Sequence, residues 1–304
     1  MMWVPGGTYW MGSDDHYTEE RPAHRVSVDG FWMDTRPVTV AQFRRFVKAT
    51  GYRTTAEQQP AAADFPDADP ALLVPGSMVF TPPDGPVPLD DYRRWWSYVP
   101  HANWRQPEGP GSNVGERNRH PVTHVSYHDA RAYADWVGKS LPTEAEWEFA
   151  ARGGLDRATY VWGDEREPHG RPGGNVWQGL FPWENLMDDG YAGTSPVGRF
   201  RANGYGLYDM AGNVWEWTDD FHTRSHADSG KNLTPASNCC VPRNPVQEAT
   251  EVETHPRRTV KGGSHLCSPN YCDRYRPAAR QGHTEDASTG HIGFRCIVRA
   301  EAPR

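Results

Sequence analysis

Two cysteines five residues apart, Cys267 and Cys272, frame the segment Ser268-Pro269-Asn270-Tyr271. Pro269 pre-sets φ for the second position of a type I turn and Asn270 suits the third, so this segment predicts a tight reversal. The reversal brings the two sulfurs close together, whereas on a helix this spacing would set them about 140° apart around the axis. Two converging thiols can close a disulfide, hold one soft metal ion, or do each in a different state. Zinc is disfavoured: structural zinc takes four protein ligands, and neither His265 nor His283 stands at zinc-finger spacing. Cu(I), a soft d¹⁰ ion, suits a pair of thiolates. The chemistry of the residues alone leaves the disulfide and the soft-metal site both open.

Short elements must position this turn. Thr39 caps a helix over residues 40–49, with Phe43, Phe46 and Val47 on one face and Gly51 past its end. Ser126 starts a second, where Ala130, Tyr133, Ala134 and Val137 recur at helical spacing before Gly138. Thr143 with Glu146 is a capping box, and Gly153-Gly154 stops that helix near Arg152. The glutamates of Leu141-Pro142-Thr143-Glu144-Ala145-Glu146-Trp147-Glu148 therefore read as structural. Residues 25–28 and 31–33 flank Asp29-Gly30 and predict a hairpin. Residues 258–261 and 293–299 predict two further strands, the last with Phe294, Cys296 and Val298 on one face. Helices segregated from small antiparallel sheets make an α+β domain.

The 304 residues show no linker, low-complexity tract or repeat, and we read 1–304 as a single domain. Residues 61–88, rich in Pro, Ala and Asp, also carry Leu72, Leu73, Val74, Met78, Val79 and Phe80, which suits a long packed surface loop. Thirty Gly and 27 Pro argue for many turns, and 13 Trp with 13 Tyr supply large buried area with polar handles for loop backbone. The net charge of −7 gives no support for nucleic-acid binding, which usually shows a basic stripe. No apolar run approaches the ~18 residues of a membrane span. Met1-Met2-Trp3-Val4-Pro5 lacks the pattern of a secretory signal, and five cysteines make no full disulfide framework. A reducing, cytoplasmic setting is the expectation, with Cys296 a buried thiol.

The run Gly262-Gly263-Ser264-His265-Leu266-Cys267, continuing through Tyr271-Cys272-Asp273-Arg274-Tyr275-Arg276, resembles the formylglycine-generating enzymes of the sulfatase-modifying factor family. The resemblance extends in family order through Val4-Pro5-Gly6-Gly7-Thr8, Pro37-Val38-Thr39, Ala102-Asn103-Trp104-Arg105, His120-Pro121-Val122, Asn203-Gly204-Tyr205-Gly206 and Gly212-Asn213-Val214-Trp215-Glu216-Trp217. It ends at Gly293-Phe294-Arg295-Cys296. Several of these motifs mark the wider superfamily, and the paired cysteines separate the oxidase branch. Ala134, Ala151 and Pro277 stand where animal members would place further cysteines.

The resemblance implies the C-type-lectin-like fold and a copper-dependent oxidase of the bacterial aerobic type. It makes Cys267 and Cys272 the catalytic pair that binds Cu(I), with Ser264 lining the pocket. Their reaction converts the cysteine of a Cys-x-Pro-x-Arg motif in an unfolded sulfatase to Cα-formylglycine, with O₂ as acceptor and an external thiol as reductant. Trp215, Tyr271, Trp104 and Arg105 become substrate-groove residues, with Trp95-Trp96 nearby and Arg105 expected on peptide carbonyls or an internal acid. Two Ca²⁺ sites are implied: Asn175, Val176, Asp189 and Tyr191 for one, Asp209, Gly212, Val214 and Glu216 for the other. Hard oxygen donors on loops suit that ion. A monomer is expected. Two rivals stand beside this reading, a non-heme iron oxygenase of the same superfamily and a non-catalytic binding module on this fold. His222, His226, Cys239 and Cys240 lie in a stretch that matches the family poorly and carry no assignment.

Overall fold

The computed structural model describes residues 1–62, 69, 73–229, 241–249 and 256–299. Three α-helices among these form where their caps are written. In α1 (Val40–Thr50) the Thr39 hydroxyl accepts from the Gln42 amide while Gln42 reaches back to Thr39, and Gly51 closes the helix at φ 70°. Reciprocal boxes start α2 (Tyr127–Trp136) at Ser126/Asp129 and α3 (Glu144–Arg152) at Thr143/Glu146, and Gly153 ends α3 at φ 58°. Each box satisfies two backbone donors that a helix start leaves orphaned. The apolar faces of α1 and α2 then meet: Phe43 stacks on Tyr133 at 6.0 Å, and both pack against Phe294. Fully burying each such ring contributes roughly 1.5–3 kcal/mol.

The sheets are small. The strand β1 (Met2–Val4) pairs with β4 (Phe31–Met33), and β2 (Gly7–Met11) pairs with β3 (His24–Val28). The Asp29-Gly30 pair is therefore a corner between two sheets, and the expected hairpin does not form. Asp29-Gly30 runs past the opposing Pro5-Gly6, so both chains change sheet together. A Cβ on Gly6 would lie 2.6 Å from Gly30 N, and one on Gly30 would lie 2.3 Å from the Trp3 ring. The Asp29 carboxylate is bonded to Arg243 and Asn244, a long-range tie in place of a local turn.

Residues 61–88 hold more than a loop: β5 (Gly76–Phe80) pairs antiparallel with β6 (Trp96–Pro100). Leu72 lies outside the described residues, and Leu73 and Val79 are buried. The central sheet runs β10-β7-β8-β9, from β7 (Trp215–Phe221), β8 (Arg257–Lys261), β9 (Arg280–Thr284) and β10 (Ile292–Gly293). The expected strand over 293–299 is broken. Its start, β10, pairs with β7, while β11 (Ile297–Val298) pairs with β4 in the other sheet. Arg295 lies at the break and its buried guanidinium grips Glu216 at 2.6 and 2.7 Å. The glutamates of α3 are structural as expected: Glu144 and Glu148 meet Lys261, Arg280 and Arg152, and Glu146 meets Arg299.

Candidate active site

The turn between the cysteines forms as its residues require. The Tyr271 and Cys272 amides both donate to the Ser268 carbonyl, at 3.0 and 2.8 Å. The result places Cys267 Sγ 2.9 Å from Cys272 Sγ, and both are free thiols buried in the main core. Burial pushes the Cys267 thiol up. Cys272 is held below the ordinary range by the hydrogen bond from Cys267 and then by the Arg274 guanidinium. The pair is thus asymmetric, with Cys272 the more acidic of the two sulfurs. Glu19 fixes Arg274 at 2.6 Å, and the guanidinium lies 3.7 Å over the Tyr17 ring. Sequence reasoning missed Arg274 as part of the site, although its place two residues after Cys272 was a usable signal.

The backbone around the pair is equally tied. Ser264 is buried; its carbonyl accepts from Cys267 N at 2.9 Å and its hydroxyl accepts from Leu266 N at 3.2 Å. The Trp177 amide donates to the Cys267 carbonyl at 2.9 Å. His265 donates through Nδ1 to the Asn213 carbonyl at 2.8 Å, and burial holds its pKa down at about 4, so the ring is neutral. Tyr271 is 38 % exposed, stacked on Phe181 at 4.7 Å with Trp95 edge-on at 5.4 Å.

Other expected groove residues sit deeper. Trp215 is 1 % exposed, as is Trp104, so neither offers a ring face to solvent. Trp104 packs edge-on to Phe43 at 5.3 Å and donates to Glu57 at 3.3 Å. Its apolar bulk completes the core beside α1. Arg105 finds an internal acid: its guanidinium covers Trp104 at 4.2 Å and reaches Glu57 at 3.3 Å. Trp95 is core, while Trp96 is half-buried against His291 at 4.7 Å. Two open grooves flank the pair. One of 590 Å³ is lined by Phe80, Trp177, Trp183, His124, His265 and Leu266. The other, 280 Å³, is lined by Ser268, Pro269, Asn270, Tyr275, Trp162 and again Trp177.

The two oxygen-rich loops differ in their fit to a cation. In the first, Asn175 Oδ1 is buried without a hydrogen-bond partner. The Val176 carbonyl and Asp189 Oδ2 both face the Gln178 amide nitrogen, and Asp189 Oδ1 takes the Tyr191 amide at 2.9 Å. Burial raises the Asp189 pKa, the mark of a carboxylate short of a counter-charge. These donors fit a hard cation. In the second, Asp209 Oδ1 is also buried and unpartnered, and burial lifts its pKa to about 6. Glu216 differs: both its oxygens are taken by Arg295, and one also by Trp147. The buried stretch from Gly212 to Val214 lies beside it, with the Gly212 amide on the Gly262 carbonyl. Asp209 fits a cation; the Glu216 carboxylate already has one.

Among the described residues, no three His, Cys, Asp or Glu side chains are grouped to hold a metal ion. His226 faces His24 at 4.8 Å, and His222 lies against Gly282. Cys239 and Cys240 lie outside the described residues.

With this geometry in view, residues 1–300 match the sulfatase-modifying factor enzyme 1-like domain. The chain belongs to the sulfatase-modifying factor family. It is 52 % identical over 296 residues to a formylglycine-generating enzyme of Mycobacterium tuberculosis, covering 97 % of this chain and 96 % of that protein. A protein of the same name from Thermomonospora curvata is 48 % identical, covering 98 % of this chain and 93 % of that one. The structure of PvdO from Pseudomonas aeruginosa shares the fold, with a TM-score of 0.64 at 21 % identity over 98 % of this chain and 93 % of PvdO. The α+β, loop-rich architecture read from the sequence is thus the architecture of this family. No helix among the described residues is long and apolar enough to cross a membrane.

Proposed function

We propose that the chain converts the cysteine of a Cys-x-Pro-x-Arg motif in an unfolded sulfatase polypeptide to Cα-formylglycine. The carrying observation is the pair of free thiols 2.9 Å apart at the positions that mark the oxidase branch. Membership of the family and the names of its relatives supply the reaction. Cys267 and Cys272 would hold Cu(I), which when bound supplies a soft thiophilic centre for the substrate sulfur and for O₂ chemistry. The Cys267 hydrogen bond and then Arg274 make Cys272 the more acidic sulfur, and the Ser268 turn fixes the spacing of the pair. Burial of the pair excludes bulk water. Tyr271, on the rigid Phe181–Trp95 stack, offers an aromatic face to an extended peptide.

The stoichiometry requires a reductant. Turning CH₂SH into CHO with loss of H₂S releases two electrons, whereas reducing O₂ to water takes four. Two molecules of an external thiol supply the difference, becoming one disulfide. This need fits a reducing, cytoplasmic setting. Calcium would bind at Asn175, Val176, Asp189 and Tyr191, and at Asp209 with the Gly212 and Val214 carbonyls, where it would neutralise buried donors and pin the loops. Chelation should then lower the unfolding midpoint; an unchanged midpoint in chelator would remove calcium from the reading. An iron-oxygenase triad would need three grouped ligands that the described residues do not bring together.

The test is incubation of a motif peptide with Cu(I)-loaded protein, O₂ and thiol. The expected product carries the mass change of CH₂SH to CHO and reacts with an aldehyde probe. An unmodified peptide, with the protein folded and loaded, would sink the proposal.

A further inference from the structure

The loop after Trp177 combines two properties that seldom meet. Its backbone is well held: Leu186 N donates to the Gln178 carbonyl at 2.8 Å, Glu184 N to Leu180 at 2.9 Å, and Trp177 Nε1 to the Glu184 carbonyl at 2.9 Å. Yet its apolar side chains face water, with Leu180 50 %, Leu186 58 % and Met187 49 % exposed. Leu186 Cγ lies 3.2 Å from the position of a Cβ on Gly179, the residue before Leu180, and Met187 follows Leu186, so the three exposed side chains form a ridge along this loop. A fixed frame that leaves three large apolar side chains in solvent points to a partner.

The ridge is continuous with the thiol pair. Asn270, within the cysteine turn, both accepts from Phe181 N and donates to the Phe181 carbonyl. Trp177 N holds the Cys267 carbonyl, and Leu186 lines the same groove as Ser268, Pro269 and Asn270. A chain lying across the turn would run onto the ridge.

We infer that the 180–187 loop is a docking ridge for apolar residues flanking the modified cysteine in the unfolded substrate. This inference rests on the proposed reaction. A polypeptide not yet folded exposes the side chains that its finished fold buries, and these fit a ridge of two leucines and a methionine. The unbranched thioether adapts to many shapes, as a surface serving varied sequences requires. The ridge thereby distinguishes an unfolded chain from a folded one showing the same motif on a polar surface.

The test uses four labelled peptides, with and without the motif cysteine and with apolar or polar flanks. Binding to wild-type protein and to the Leu180→Ser/Met187→Ser variant is read by anisotropy, and turnover is read on the short motif peptide. The variant should bind the apolar-flanked motif peptide about tenfold more weakly, as loss of two half-buried apolar contacts implies. Its affinity for the polar-flanked peptide and its turnover of the short peptide should not change. Equal affinity of both proteins for the apolar-flanked peptide would overturn the ridge. So would an equal loss with both flanks, or a shift in oligomeric mass with unchanged peptide binding, which would make the occupant a second copy. Failure of wild-type protein to turn over the short peptide would instead strike the proposed reaction, while the binding comparison still reads the ridge.

Discussion

The molecule buries two sets of titratable groups, and they solve the cost of burial in opposite ways. Around α3 and β8, Glu144, Glu148, Lys261, Arg280 and Arg152 form a chain of opposite charges, and Arg295 meets Glu216 a little further on. Every member has a partner of the other sign, so burial leaves the carboxylates charged: attraction to the cations outweighs desolvation and holds Glu144 and Glu148 below their ordinary range. The thiols of Cys267 and Cys272 are two like groups at 2.9 Å, and Arg274 is the cation that acts on both. Compensated burial makes a scaffold. The two sulfurs share one cation between them, which sets them apart from the scaffold.

The largest effect that could break this contrast is at the thiols. Cys267→Ser and Cys272→Ser should each abolish turnover and sharply weaken Cu(I) binding, because a hard hydroxyl replaces a soft sulfur. Each variant should lose less stability than an unpartnered buried hydroxyl would cost, because the new hydroxyl keeps the remaining sulfur as a hydrogen-bond partner. Full activity in either variant would remove the pair from the chemistry.

Next comes the scaffold. Arg295→Met removes the cation that engages both Glu216 oxygens at full burial. A buried charge left unpaired costs about 3–5 kcal/mol, so denaturant unfolding should show a loss of that size. A loss below about 1 kcal/mol would place the Glu216–Arg295 pair with weak surface bridges instead.

A smaller effect separates the two regions by pH. Asp220 sits beside Glu144, accepting from the Glu144 and Gln247 amides, and burial followed by the Glu144 charge lifts its pKa to about 7. The folded protein therefore holds this proton more tightly than the unfolded chain. Stability should fall as pH rises from about 4 to 7, by up to about 4 kcal/mol, and level off above. Glu144 and Glu148, held low, contribute stability above their unfolded pKa that is lost in acid. Denaturation midpoints across this range should show the decline in the parent and a flatter profile in Asp220→Asn. A flat parent profile would mean that Asp220 ionises without penalty.

The parts of the fold legible beforehand are those fixed locally. The caps at Thr39, Ser126 and Thr143 and the Ser268 turn need only neighbours a few residues away, and all four form. The parts that were not legible depend on partners far along the chain. Asp29-Gly30 carries a hairpin signal, but Asn244 and Arg243, more than 200 residues later, hold it as a corner. The strand period over 293–299 says nothing of Glu216, which draws Arg295 inward and divides the strand. Lys261 and Arg280 are fully buried because Glu144 and Glu148 of α3 meet them, a pairing more than 100 residues apart in the chain. At the site, spacing foretold the meeting of the thiols, while their asymmetry came from Arg274 and Glu19, a contact between the two ends of the chain.

The smallest effect concerns the third thiol. Cys296 is 0 % exposed, between the broken ends of the last strand, and burial raises its pKa, so it remains a neutral thiol. Among the described residues no second sulfur is bonded to it, and the Lys139 charge does not offset its burial. Cys296→Ser places a hydroxyl among Phe294, Phe43 and Tyr133, where desolvation without a matching partner costs about 1–2 kcal/mol. Turnover on a motif peptide should be unchanged, and a thiol reagent should label Cys272 in the folded protein well before Cys296. Early labelling of Cys296, or loss of turnover in the folded Ser variant, would show that burial alone does not make a thiol inert here. The distinction between the paired and the solitary sulfur would then have to rest on something other than Arg274 and the Ser268 turn.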